Sequence, residues 1–426
     1  MTFSASTYFV ALCLLLIQLL AALPWGWLVF ASGRKIEGSP WLLDLFVGRS
    51  SLPRLLLSAQ GFLPRFLGVL LVVFAAPLAF ILIVTESGTL MTIGYFYGVI
   101  LQVQLLADAF ILLFAGLLYV WPKGAAIALS AFREGVRQPM FWLLFGVAFL
   151  AMTVSPLIPY FTFGEDHLVV REIGYDTIML FAAIFGALAA SISISEEIEG
   201  RTAVTLMSKP VSRRHFLIGK FLGIVLAAGV LFALLGTYFE GISLFKHWWD
   251  KMDPEPTPVW LTNTLEAWAL PGVTTDLLRG IGLWTHLTLD VAPGLILGFS
   301  QVMVLVAIAV SLATRVPMVV NLIVVVVIFF LAHLAPVLVS VGYAAQKADP
   351  GAAVSQILFF MARLFDLVLP NLESFRLEPA LLNDLDLREK APDFTAYLAS
   401  VSLYGVLYTT IVLLFGLILF EDRDLA

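Results

Sequence analysis

The sequence predicts an all-α protein embedded in a membrane, a polytopic chain of about nine transmembrane helices. Three observations point to that class. Hydrophobic residues make up 61% of the 426 residues and charged residues only 13%, where a soluble domain carries roughly 45–50% and about 25%. The apolar residues come in long runs, and a bilayer-spanning helix needs roughly 20 of them. No stretch shows the ~10-residue strict alternation of a membrane barrel, whereas helices satisfy every backbone hydrogen bond within one segment.

Spans are expected at approximately 8–30, 66–84, 96–120, 140–160, 177–194, 217–239, 291–313, 318–341 and 398–420. The third can begin as early as Met91. The first run, Phe9 to Phe30, reads as a retained span. No charged side chain precedes it, Arg34 and Lys35 follow it, and it is long for a cleaved leader. Cys13 is the single cysteine, so no disulfide framework or cysteine metal cluster can form within one chain.

The net charge of −6 says less than the places where charges sit. Arg34, Lys35, Arg49, Arg54 and Arg65 occupy the first inter-span segment. Lys123, Arg133 and Arg137 occupy 121–139, and Arg201, Lys209, Arg213, Arg214 and Lys220 occupy 195–220. Arg315 sits in the turn between the seventh and eighth spans. If the chain alternates, all fall on one face, which the positive-inside rule makes cytoplasmic. The N-terminus is then outside and the C-terminus inside, as in a multi-pass protein of the cell (inner or plasma) membrane.

Two long acidic loops, 240–290 and 342–397, fall on the other face. Trp248, Trp249, Trp260, Trp268 and Trp284 stud the first, and tryptophan favours the headgroup region. Asp253-Pro254-Glu255-Pro256-Thr257-Pro258 is a stiff, non-helical break. Val354 to Leu369 in the second reads as an amphipathic or re-entrant helix ended by Pro370. Interfacial helices are expected there rather than a globular cap.

Two inner segments carry most of the functional signal. In 125–138, Leu129, Phe132 and Val136 share one helix face, with Ser130, Arg133, Glu134 and Arg137 opposite. That pattern describes a helix lying in the membrane surface, its basic residues suited to anionic lipid headgroups. In the second, Ser195 to Phe221, Glu197 and Arg201 are four apart and can pair along a helix. Pro210 forces Lys209 out of helical geometry. Ser212 can cap the helix that re-enters the membrane.

The order of parts is surface helix, span, acidic outer loop, span, then Glu196-Glu197-Ile198-Glu199-Gly200-Arg201-Thr202, with Leu206, Ser208-Lys209-Pro210-Val211-Ser212-Arg213 and Gly219-Lys220 following. Ser311 to Arg315 leads into the eighth span, and the chain runs from Leu403-Tyr404-Gly405 to Glu421-Asp422-Arg423-Asp424-Leu425. Over about 125–426 this resembles the type-2 permease family of ATP-binding-cassette (ABC) transporters, closest to the gliding-motility and copper-enzyme-maturation branch. The resemblance implies a six-span core, 125–426, behind an N-terminal three-span extension, 1–124. It implies a homo- or heterodimer of permeases, mostly exporters, with ATP hydrolysed by a separate ABC ATPase subunit. The loop 195–215 would be the coupling contact to that ATPase, carried by Glu196, Glu197, Glu199, Arg201, Thr202, Ser208, Lys209, Pro210 and Arg213. The three extra spans depart from the minimal pattern, and two roles fit them: binding a partner or bracing the core.

Other chemistry finds little support. No GxxxxGK[ST] loop occurs, because Phe221 follows Gly219-Lys220 and Arg214 stands where the first glycine should be. No HExxH or CxxC occurs, and His167, His215, His247, His286 and His333 are scattered, so no metal, cofactor or nucleic-acid partner is expected. Gly298-Phe299-Ser300-Gln301 begins like the nucleophile motif of intramembrane serine proteases, with His333 as a conceivable base on the next span. The second glycine is missing, and a helical serine bonding its own turn is commoner. Asp108 lies inside the third span, where a carboxylate is costly and often functional. It would serve an ion-coupled secondary transporter or channel, the alternative reading. Nothing in the sequence names a substrate.

Overall fold

A computed structural model describes residues 5–24, 86–158, 160, 166–195, 197, 212–249, 258–270, 272–349, 352–377 and 391–421. These residues form eleven helices and no strand: α1 (Ala5–Ala21), α2 (Ser87–Val120), α3 (Pro122–Arg137), α4 (Pro139–Val154), α5 (Asp166–Ala190), α6 (Arg213–Trp249), α7 (Val259–Ala267), α8 (Gly272–Ala313), α9 (Met318–Ala348), α10 (Ala353–Val368) and α11 (Ala391–Glu421). Among the described residues, seven helices are long and apolar enough to cross a membrane. They correspond to the third to ninth expected spans. The expected first span begins in α1, and the second, 66–84, lies outside the described residues.

Proline sets several boundaries. Pro122 and Pro139 stand at the first turns of α3 and α4, where the missing N–H costs nothing. Pro317 stands just before α9. Two prolines do not break their helices: Pro293 lies inside α8 and Pro336 inside α9. Each removes one backbone hydrogen bond from the ladder.

Three expectations need correction. The third span begins at Ser87, so α2 is 34 residues long. Residues 272–290 form no loop. They are the first half of α8, a helix of 42 residues and about 63 Å. Its polar side chains meet along one face, Asp276 pairing with Arg279 at 3.8 Å and His286 Nε2 standing 4.0 Å from Asp290, while the other face packs. Trp284 follows from this: it is buried, 4% exposed, whereas Trp249, Trp260 and Trp268 are exposed as a headgroup position requires.

The chain divides into two compact units, residues 1–117 with 253–290, and residues 118–252 with 291–426. In the first, Val10, Leu14, Leu90, Tyr97 and Leu277 form a buried core. The Tyr97 hydroxyl donates to the Leu14 carbonyl at 2.9 Å. Leu261, Leu265 and Leu283 seat α7 in a second cluster. The α2–α8 crossing is too tight for side chains. A Cβ on Gly94 would lie 2.3 Å from the Leu277 carbonyl oxygen, and one on Gly280 2.1 Å from that of Met91. Trp284 covers Gly98 and donates its indole N–H to the Gln102 Oε1 at 2.7 Å. Asp108 is buried on α2, 5% exposed.

In the second unit, α3, α4 and α5 pack around α6. Phe141 meets Phe185 edge-on at 5.3 Å, joining α4 to α5. Thr153 and Tyr238 share a 2.6 Å hydroxyl hydrogen bond, joining α4 to α6. The amphipathic α10 packs on α9, where Gly342 leaves room for Ala362. The segment before α11 runs back across it and is held by its tyrosines.

Overpacking at the glycine crossing gives a test. Gly280→Val should lower the thermal midpoint of the detergent-solubilised protein, with a cost of about 1–3 kcal/mol. Gly88→Ala, at a position with nothing within 4 Å of the added Cβ, should leave the midpoint unchanged or slightly raised. Tryptophan fluorescence on heating reads both.

Candidate functional site

Seven of the nine expected coupling residues, Glu196, Glu199, Arg201, Thr202, Ser208, Lys209 and Pro210, lie outside the described residues. The other two, Glu197 and Arg213, stand at the two roots of that segment.

The first root begins where α5 stops being regular. Residues Ser191–Ser195 form a single π turn, a widening that often marks functional positions. Three serines in five residues explain what holds it, because each hydroxyl can bond across the helix packing. Ser191 Oγ donates to the Ala187 carbonyl at 2.7 Å and accepts from Asn321 Nδ2 at 2.8 Å. Ser193 Oγ donates to Glu134 Oε2 on α3 at 3.2 Å. Ser195 Oγ lies 3.4 Å and 3.3 Å from the carbonyls of Ala313 and Val316, at the α8–α9 turn. This turn therefore touches α3, α8 and α9 within five residues.

Lys220 of α6 closes the same cluster. Its side chain is 5% exposed, and a buried ammonium is costly unless paired and hydrogen-bonded. Nζ donates to Glu197 Oε1 at 2.7 Å and to Ser193 Oγ at 2.7 Å, with the Ser193 carbonyl at 3.4 Å. Glu134 Oε2 stands 3.6 Å away, and the Phe216 ring lies under the ammonium at 5.9 Å. Ser193 relays charge: it accepts from Lys220 and donates to Glu134. One lysine thus fastens α3, the π turn and the root of the 196–211 segment to α6.

Lys220 reaches these partners because α3 and α6 nearly touch. A Cβ on Gly223 would lie 2.2 Å from the Ala128 carbonyl oxygen, and one on Gly219 2.8 Å from that of Gly124. On α3, a Cβ on Gly135 would meet Ala227 at 3.1 Å. Gly219 and Gly223 are the small-xxx-small spacing that lets membrane helices approach closely. That spacing was present in the sequence and marks the crossing. The pairing of Glu134 with Lys220, 86 positions apart, had no local signal.

At the second root, Ser212 caps α6 as expected. Its hydroxyl accepts from the His215 backbone N–H at 3.3 Å and also contacts His215 Nδ1. The His215 ring stacks on Trp121 at 5.4 Å. Arg213 Nη1 donates to the carbonyls of Phe420 and Glu421 at 2.7 Å and 2.6 Å, and its guanidinium lies over the Phe420 ring at 5.6 Å. A cation at those unsatisfied C-terminal carbonyls is favourable. Arg213 thus engages its own chain, tying α6 to the end of α11. Arg214 adds a pair with Glu421 at 3.6 Å.

A family model described as "ABC-2 family transporter protein" matches residues 125–425. The chain belongs to the ABC-2 transporter family. It is a multi-pass membrane permease component of an ABC transporter. No curated protein matches it. The ABC-2 match begins inside α3 and contains both roots. In this permease the protease-like pair is not assembled: Ser300 Oγ bonds its own turn at the Ile296 carbonyl, 2.8 Å, while His333 pairs with Gln301 Nε2 at 3.1 Å. Among the described residues no group of His, Cys, Asp and Glu could hold a metal.

Lys220→Met should lower the thermal midpoint of the purified permease. Both carboxylates keep some water, so the expected cost is about 1–3 kcal/mol, below the loss for a fully buried pair. Lys220→Arg, which keeps the charge, should recover part of it. A midpoint unmoved by Lys220→Met would mean the cluster carries no structural weight.

Proposed function

We propose that the chain is the permease subunit of an ATP-driven exporter. Its 195–215 segment receives the push of a separate ABC ATPase, and it works as one of a pair of permeases in the cell membrane. The observation that carries this reading is the Lys220 cluster. A segment that only linked two spans would need no buried ion pair at its root. A segment that transmits force needs one, because displacing Glu197 then moves α3 and α6 with it.

Charge supports the orientation. Lys123, Arg133, Arg137, Arg213, Arg214 and Lys220 all lie on or beside α3 and the start of α6, at the end of the second unit where Arg315 turns α8 into α9. The positive-inside rule makes that end cytoplasmic. The N-terminus is then outside and the C-terminus inside. Closure of the ATPase pair shifts the segment, and rigid helices tilt between two packings. ATP biases that equilibrium only through its different affinity for the two states.

Ion-coupled transport through Asp108 is the second reading, favoured by the burial of that carboxylate on α2. The two readings separate experimentally. Under the first, mild-detergent purification should bring down a chain bearing a P-loop. Glu199→Ala, Arg201→Ala or Pro210→Ala should abolish substrate movement while leaving the permease inserted. Under the second, no ATPase accompanies the chain, and transport fails with Asp108→Asn or with the ion gradient collapsed. Orientation is read on its own: with Cys13 changed to Ser, Ser208→Cys should react with a membrane-impermeant maleimide only after the cells are opened. Labelling in intact cells would reverse the topology and end the coupling assignment.

A further inference from the structure

At the end of the second unit opposite the Lys220 cluster, residues 369–377 cross the helices as a strap. Three tyrosines of α11 hold it. Tyr408 donates to the Val368 carbonyl at 3.0 Å, Tyr404 accepts from the Asn371 N–H at 3.0 Å, and Tyr397 donates to the Ser374 carbonyl at 2.8 Å. Phe375 is buried beside Gly405, where a Cβ would meet its ring at 3.1 Å. The strap's far end is fixed by charge. Arg376 Nη2 donates to Glu172 Oε1 and Asp176 Oδ2, both at 2.8 Å, and Nη1 stands 3.6 Å from Glu373.

Beneath Arg376 lies a cavity of about 30 Å³, lined by Tyr175, Asp176, Gly298, Gln301 and Phe375 among others. That is room for a group the size of one water or a small head group. Its floor is Gln301, 1% exposed. The orientation of that amide follows from His333. His333 Nδ1 stands 2.8 Å from the Phe329 carbonyl, and its Nε2 stands 3.1 Å from Gln301 Nε2, where the amide N–H donates. Gln301, a lining residue of the cavity, keeps its Oε1 as a further acceptor.

The site is rich in acceptors and poor in donors. Three carboxylates, Glu172, Asp176 and Glu373, face the single guanidinium of Arg376. A neutral acceptor waits below, and the remaining walls are apolar or aromatic. The complement is a compact cation with several N–H donors on an apolar stem. We propose that this cavity binds a primary ammonium group, and that Arg376 is an internal competitor that gives up Glu172 and Asp176 when the ammonium arrives. An ammonium drawing on Glu172 and Asp176 weakens the hold of Arg376 on them, and that loosens the strap. This deepens the permease reading by naming a substrate chemistry, and on the proposed orientation the site is extracytoplasmic.

The test uses the full-length protein in lipid nanodiscs, with thermal unfolding followed against n-butylammonium chloride and, as control, sodium chloride at equal ionic strength. Butylammonium should raise the midpoint where sodium does not. Arg376→Gln should tighten the apparent affinity about tenfold by removing the competitor. Adding Glu172→Gln and Asp176→Asn to that variant should erase the effect. An equal response to sodium, or a response surviving the loss of both carboxylates, overturns the proposal. Should Arg376→Gln fail to fold, Gln301→Leu in the otherwise intact chain decides: the butylammonium response must fall, and an unchanged response refutes the site. No ATPase or transport enters this assay, so its failure leaves the permease reading standing. A chain that purifies without an ATPase leaves the cation result standing.

Discussion

A buried ammonium constrains everything around it. Lys220 sits between packed helices with almost no access to water, and its charge is tolerable only while Ser193 and Glu197 hold their places. Those acceptors come from the π turn and from Glu197, near the start of the inner segment. Glu134, linked through Ser193, comes from α3. None of the three can drift far without exposing an unpaired charge to the interior. The small residues Gly219, Gly223 and Ala227 make the arrangement possible by letting α3 lie directly on α6. Close packing and ion pairing are therefore one device: packing excludes water, and exclusion of water makes the ion pair matter.

The legible part of the fold was the part written in local pattern. The six core spans follow from apolar runs, and the ends of α3 and α4 follow from proline. The faces of α3 were readable at 3.6-residue spacing: Leu129 and Phe132 are buried, while Glu134 and Arg137 lie toward water. Ser212 was recognisable as a cap. The first half of α8 was not legible, because Asp276, Arg279 and Asp290 make 272–290 read as part of an acidic outer loop carrying interfacial helices. Hydropathy weighs residues one at a time, whereas this stretch is helical because one face packs and the other pairs its charges. Trp284 was misplaced for the same reason. Its indole N–H finds Gln102, 182 positions away, and no window along the chain contains both.

The candidate site was legible only at its edges. The Glu/Arg-rich segment announced itself by composition, and Glu197, near its start, bonds Lys220. Its partners carry no such sign: by spacing alone Glu134 reads as surface charge on α3, and Lys220 as one basic residue of a motif. Their partnership depends on a helix crossing, and Gly219-xxx-Gly223 was the one local sign of it. The acceptor-rich cavity behind Arg376 had no local sign at all. It is assembled from α5, α8 and the strap before α11, and only the fold brings those together.

The length of α6 relates these two ends. It carries a second buried lysine, Lys246, 3.9 Å from Asp166 Oδ2 and 3.5 Å from the Pro156 carbonyl. Lys220 and Lys246 are 26 residues apart, about 39 Å along a helix, close to the roughly 40–45 Å between the outer edges of a bilayer's headgroup regions. Each lysine can therefore keep its charge at a polar boundary while its helix crosses the apolar layer. Both boundaries also hold an end of α5: the π turn beside Lys220, Asp166 beside Lys246. Two helices pinned to each other at both ends by buried cations cannot slide along one another without breaking a pair. They can tilt together as one body.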